Sequence, residues 1–119
     1  MISIQLEFIN VAAVVRSVIG SYMCTRHIKT VKVSDPENFY NQDTIEVGIY
    51  VTEPWREKVM VRVFIYTIDD KAWAIEQEIN VKYKEQIKFV YNHYKKWIYD
   101  KMPEEISLVW LYEHGFLPV

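Results

Sequence analysis

The sequence predicts an α+β domain, an antiparallel sheet of about four to six strands packed by two main helices. Two observations carry that expectation. Three runs within 44–80 alternate apolar and polar residues with a period of two and are joined by short connections. Two other stretches, 11–23 and 82–101, repeat apolar residues every three or four positions, as a helix with one buried face does. At 119 residues the chain suits one domain. Its 50% hydrophobic and 25% charged content is that of a globular protein rather than a disordered one.

Taken in order, Ile2, Ile4, Leu6 and Phe8 alternate with Ser3, Gln5 and Glu7, which predicts a strand buried on one face. Asn10 is a candidate N-cap. From there Val11, Val14, Val15, Val18 and Tyr22 share one helical face, so a helix is expected over about 11–23. A short strand is expected over 28–33, followed by the clearest loop, "SDPENFYNQD". The meander then comprises Ile45, Val47, Ile49 and Val51; Val59, Val61, Val63 and Ile65; and Trp73, Ile75, Gln77 and Ile79. Its middle strand also carries Met60, Phe64, Tyr66 and Ile68 on the second face, which predicts a central strand covered on both sides.

The helix over 82–101 has the apolar stripe Tyr83, Ile87, Val90, Tyr91, Tyr94, Ile98, Met102. The segment 103–115 reads two ways. Pro103, Glu104, Glu105, His114 and Gly115 mark helix boundaries, whereas "ISLVWLY" spells a buried strand. With a strand there, the layout approaches a ferredoxin-like βαββαβ with an added strand. That is a statement about architecture and carries no function.

No window holds 18 consecutive apolar residues, so no membrane span is expected. The single cysteine, Cys24, forms no internal disulfide, and "MISIQLEF" alternates where a secretory leader would be basic and then apolar. Cytoplasmic residence is therefore expected.

The net charge of -2 conceals a segregation. Segment 1–33 carries +3, 34–80 carries -6, 81–102 carries +4 and 103–119 carries -3. Within the long helix Lys84, Lys88 and Lys95 form a stripe beside the apolar face, with Tyr91 at its edge. Such a stripe holds phosphates while a ring stacks on a base, and it makes these four residues nucleic-acid candidates. The plainer reading is a solvated helix face that pairs with the acidic segment.

Aromatics make up 15% of the chain, and because Tyr and Trp need partners or water for their polar ends, many are expected at the core's edge, a groove or an interface. The stretch "VTEPWREKV" sets a tryptophan and an arginine where the chain reverses. Pro54 suits the second position of a type I turn, which would put Trp55 third. Tryptophan and arginine are the residues most enriched among binding hot spots, so Trp55 and Arg56 are protein-interaction candidates. The alternative is a Trp55 that folds back over Tyr50 or Met60, with Arg56 stacked on it. Phe89 and Tyr99, projecting from the polar side of the long helix, join the interaction candidates.

Site chemistry is otherwise sparse. His27, His93 and His114 form neither His-x-His nor His-x-x-x-His, so no metal is expected. His27 lies near Cys24 in sequence but gives a thiol only weak support. Asp69 and Asp70 suit a hairpin turn, Glu104 and Glu105 a helix start, and Glu76 and Glu78 share one strand face that usually meets solvent. Three isolated glycines make no phosphate loop, and no serine lies in Gly-x-Ser-x-Gly. The expectation is a binding domain with no catalytic residue or cofactor, self-associating or bound to a protein partner. Weak nucleic-acid binding is one alternative. A small-molecule site or enzyme with a cleft between sheet and long helix is the other.

Overall fold

The three alternating runs are strands, and their register is set by the alternation itself. The computed structural model describes residues 7–8, 23–52, 54–83 and 85–118. The strand over Ile2 to Phe8 is described only at its end, and the helix over 11–23 lies outside the described residues, except that Met23 begins a strand. The described strands are β1 (Glu7–Phe8), β2 (Met23–Val33), β3 (Thr44–Val51), β4 (Lys58–Tyr66), β5 (Ala72–Asn80), β6 (Glu105–Ile106) and β7 (Leu117–Pro118). Two helices accompany them, α1 (Glu85–Lys101) and α2 (Leu108–Glu113). The architecture is α+β.

The sheet runs β1-β5-β4-β3-β2-β6, with β7 also on β5. Neighbours β2 to β5 follow chain order, so the ferredoxin-like interleaving is not seen. The sheet is mixed rather than purely antiparallel, because β6 pairs with β2 in parallel, Lys32 opposite Glu105 and Val33 opposite Ile106. That pairing follows from α1, which carries the chain back along the sheet before β6, a crossover that parallel neighbours require. Segment 103–115 divides: Glu105 and Ile106 form β6 rather than a helix start, and most of the "ISLVWLY" run is the short helix α2 rather than a buried strand. Ser107 caps α2 by accepting from the Trp110 N–H.

One face of the sheet packs on α1. Val47 lies opposite Ile65, Ile49 opposite Val63, and Val63 in turn opposite Ile75. Against them α1 sets Ile87, Val90, Tyr91, Tyr94 and Ile98, all buried. Tyr83 is exposed, off this stripe, because α1 starts after it; Gln86 reaches back with its side-chain oxygen to the Lys82 and Tyr83 N–H groups, 2.6 and 2.8 Å. The buried tyrosines bring their polar ends to partners. Tyr91 shares a hydrogen bond with the Thr25 hydroxyl, and Tyr94 donates to the Gln77 oxygen. Burial pushes the Tyr94 phenol up to about 12.

Lys29, opposite Val47, has its side chain 10% exposed and donates to the Met102 carbonyl at 2.7 Å, pairing with Glu104 at 3.1 Å. A cation there meets the negative end of α1.

The second face is buried over most of its length, but Met60 is half-buried and Ile68, expected on it, lies beyond the end of β4 and is exposed. Tyr50, Phe64, Tyr66, Ala72 and Ala74 are buried, which makes β4 the central strand its two apolar faces predict. On this face Arg62 contacts Glu76 through its guanidinium, and Lys58 pairs with Glu78 at 3.2 Å. Glu76 and Glu78 are therefore each engaged by a base across the strand. Burial, and then the Glu78 carboxylate, push Glu76 up to about 7.

Candidate functional site

The β3–β4 hairpin has a cleft at each end. At its tip Trp55 and Lys58 exchange backbone hydrogen bonds, 2.8 and 3.0 Å, across Arg56 and Glu57. Both central residues are left-handed, φ 51° and 60°. This is a two-residue turn of the I′ kind, whose twist matches that of the flanking strands. It corrects the expected type I turn on Pro54: Trp55 opens the turn rather than standing third in it. The left-handed pair is unusual without glycine or asparagine, and costs roughly 1–2 kcal/mol per residue.

Trp55 is 73% exposed and does not fold back over Tyr50 or Met60. The Arg56 guanidinium lies over its ring, 5.6 Å from the centroid. Thr52, Arg56, Lys58, Met60 and Glu78 complete with Trp55 a shallow cleft of about 320 Å³.

The long helix divides the other candidates. Phe89 and Tyr99 are 61% and 53% exposed, on the outer side as expected. Lys88 is exposed and Lys95 half-buried, while Lys84 lies outside the described residues. Tyr91 is the correction: only 6% exposed and bonded to Thr25, it belongs to the core and offers no face to a base. No described helix is long and apolar enough to cross a membrane, and no group of three metal-ligating side chains occurs among the described residues.

The far end of the hairpin holds what the sequence reading passed over. Between Thr25 and Lys29, β2 bulges: Arg26, His27 and Ile28 stand where β3 has only Gly48. A Cβ on Gly48 would lie 2.5 Å from Phe64 Cζ and 2.8 Å from the Arg26 carbonyl oxygen, so the bulge depends on glycine there. The bulge turns Arg26 and His27 toward the end of β4. Arg26 lies over the Tyr66 ring, 4.5 Å from its centroid, and donates to Asp70 at 2.6 Å. That bond is the main reason its pKa rises.

The Tyr66 hydroxyl donates to the Arg26 carbonyl at 3.0 Å, and the His27 Nδ1 lies 3.0 Å from the Tyr66 hydroxyl oxygen and 3.5 Å from Glu46. Burial holds the Tyr66 phenol above its usual range. Asp70 takes its place by a left-handed φ of 58° in the β4–β5 turn, as its turn role predicts. These residues line a cleft of about 530 Å³ with Gln42, Thr44, Ile45, Thr67 and Ile68. The one signal in the sequence was register: pairing the strands as they alternate puts Glu46 opposite Tyr66.

His93 is half-buried, and His114 stacks on Trp110, centroids 4.1 Å apart. Compared with known proteins, the chain matches no family model, no curated protein and no solved structure.

Proposed function

We propose that the protein is a binding domain that pairs with a second copy of itself through the Trp55–Arg56 tip. The observation that carries this reading is the 73% exposure of Trp55 on a turn built from two left-handed, non-glycine residues. Backbone strain of that kind is concentrated where function requires it. A second copy is favoured over an unrelated partner by the charges. Arg56 and Glu57 are adjacent, so a two-fold axis through the tip sets each against its opposite on the other chain. Six residues make less than the roughly 1,200 Å² of a stable complex, so the association is weak and concentration-dependent.

The test is molar mass by light scattering over a range of concentration and at two salt levels. The reading requires a mass that rises with concentration and a Trp55→Ala variant that stays monomeric. A monomer throughout, or a dimer indifferent to Trp55→Ala, rejects it.

A second reading is supported by Phe89 and Tyr99, exposed beside Lys88 and Lys96 on the outer side of α1. Single-stranded nucleic acid would bind there by stacking and phosphate contact. It requires binding at low salt that weakens as salt rises, and its absence at low salt rejects this reading.

A further inference from the structure

The cleft at the far end of the hairpin carries an inference separate from the tip. Its carboxylates are already occupied. Asp70 receives Arg26, and Glu46 accepts the Thr30 hydroxyl on its two oxygens, 3.0 and 2.9 Å, with His27 beside it. The Gln42 oxygen accepts the Ile68 N–H at 3.2 Å, and the Thr67 hydroxyl oxygen accepts the Lys71 N–H at 3.2 Å. The donors are not used up. Arginine carries five N–H groups, and among the described residues Arg26 turns them to Asp70 and the Tyr66 hydroxyl, two partners that leave the others over. Gln42 keeps its amide N–H groups and Thr67 its hydroxyl hydrogen.

The arginine is also held in place. Asp70 grips one side of the guanidinium and the Tyr66 ring sets its plane. An arginine fixed in this way presents its remaining N–H groups to a planar or tetrahedral oxyanion with little left to order.

We propose that this cleft binds a small oxyanion, a carboxylate or phosphate group, on the remaining N–H groups of Arg26 with the Gln42 amide beside them. Ile68, exposed at the rim, and the edge of Tyr66 give an apolar wall to whatever carries that group.

The experiment is an NMR titration of the 15N-labelled chain with inorganic phosphate and, separately, with acetate, at constant ionic strength. The expected result is a saturable shift of the Arg26 Nε–H, the Gln42 side-chain amide and the His27 ring, with half-saturation in the millimolar range. Saturation by phosphate at lower concentration assigns a phosphorylated ligand, and by acetate a carboxylate. Arg26→Lys weakens binding at least ten-fold, Arg26→Gln abolishes it, and Trp55→Ala leaves it unchanged. Arg26 is half exposed, so these variants keep the dispersed spectrum of the folded chain. The proposal is overturned by shifts that do not saturate, by shifts spread over the α1 lysines, or by binding that survives Arg26→Gln. Saturation by guanidinium chloride at Glu46 and Asp70 overturns it as well.

Discussion

At the tip of the β3–β4 hairpin an aromatic side chain stands in solvent with an arginine over it. At the far end another aromatic, Tyr66, is buried beneath an arginine that faces the cleft. The pairing is the same and the order of the layers is reversed. Trp55 puts apolar surface outermost, which suits contact with another apolar surface. Tyr66 puts charge outermost, which suits a polar ligand. What sets the order is the backbone. The tip is a two-residue turn tied to the chain after β5 by one backbone bond, the Val81 N–H to the Glu57 carbonyl at 2.8 Å, whereas the far end has the β2 bulge folded across β4.

The largest expected effect strikes the far end alone. Gly48→Ala forces a carbon against Phe64 and the Arg26 carbonyl, and is expected to cost about 1–3 kcal/mol, read as a lower Tm. Association through Trp55 should survive it. An unchanged Tm would mean that the bulge does not depend on the missing side chain.

Trp55→Ala strikes the tip alone. Dimer dissociation should rise by about 30-fold, the effect of losing a hot spot worth about 2 kcal/mol. Thermal stability should stay within about 0.5 kcal/mol, because Trp55 is exposed. A large fall in Tm would show that the ring is part of the fold.

Tyr94→Phe, remote from both clefts, gives the baseline for the shared core. It should cost about 1 kcal/mol at neutral pH by removing the hydrogen bond to the Gln77 oxygen. With the folded pKa raised to about 12 from 10.0, the wild type keeps this contribution below pH 10. It loses it as pH climbs from 10 toward 12, because the unfolded chain gives up its proton first. Unfolding midpoints between pH 9 and 12 should therefore fall less steeply in the variant.

The smallest effect is a gain. Glu57→Gly relieves one left-handed residue of the turn and should stabilise by about 1 kcal/mol, seen as a Tm a few degrees higher. No gain would show that the turn carries no strain at Glu57.

The meander was legible because its strands alternate, broken only at Gln77 in the third, and the body of α1 because its stripe from Ile87 to Ile98 is complete. β2 was half-legible. Val31 and Val33 alternate with Thr30 and Lys32, but Arg26, His27 and Ile28 sit in a bulge that breaks the period of two, so the start of the strand at Met23 left no pattern. Tyr91 was misread because it lies at the boundary of stripe and face, where about 100° per residue leaves the outcome to its partner Thr25. The tip was legible as an exposed tryptophan and not as a turn type: proline pointed to Pro54, while strand twist selected Arg56 and Glu57. The far cleft was illegible for a different reason. Arg26, Gln42, Glu46, Tyr66 and Asp70 are scattered over 45 positions and meet only through register and a bulge.

The central claim is that the tip joins two copies, and solution molar mass tests it most directly. Light scattering from about 10 µM to 1 mM, the range of weak association, should rise from 14.3 kDa toward twice that value in the wild type. It should stay at the monomer mass in Trp55→Ala. A wild-type chain that remains at 14.3 kDa across the whole range would contradict the account.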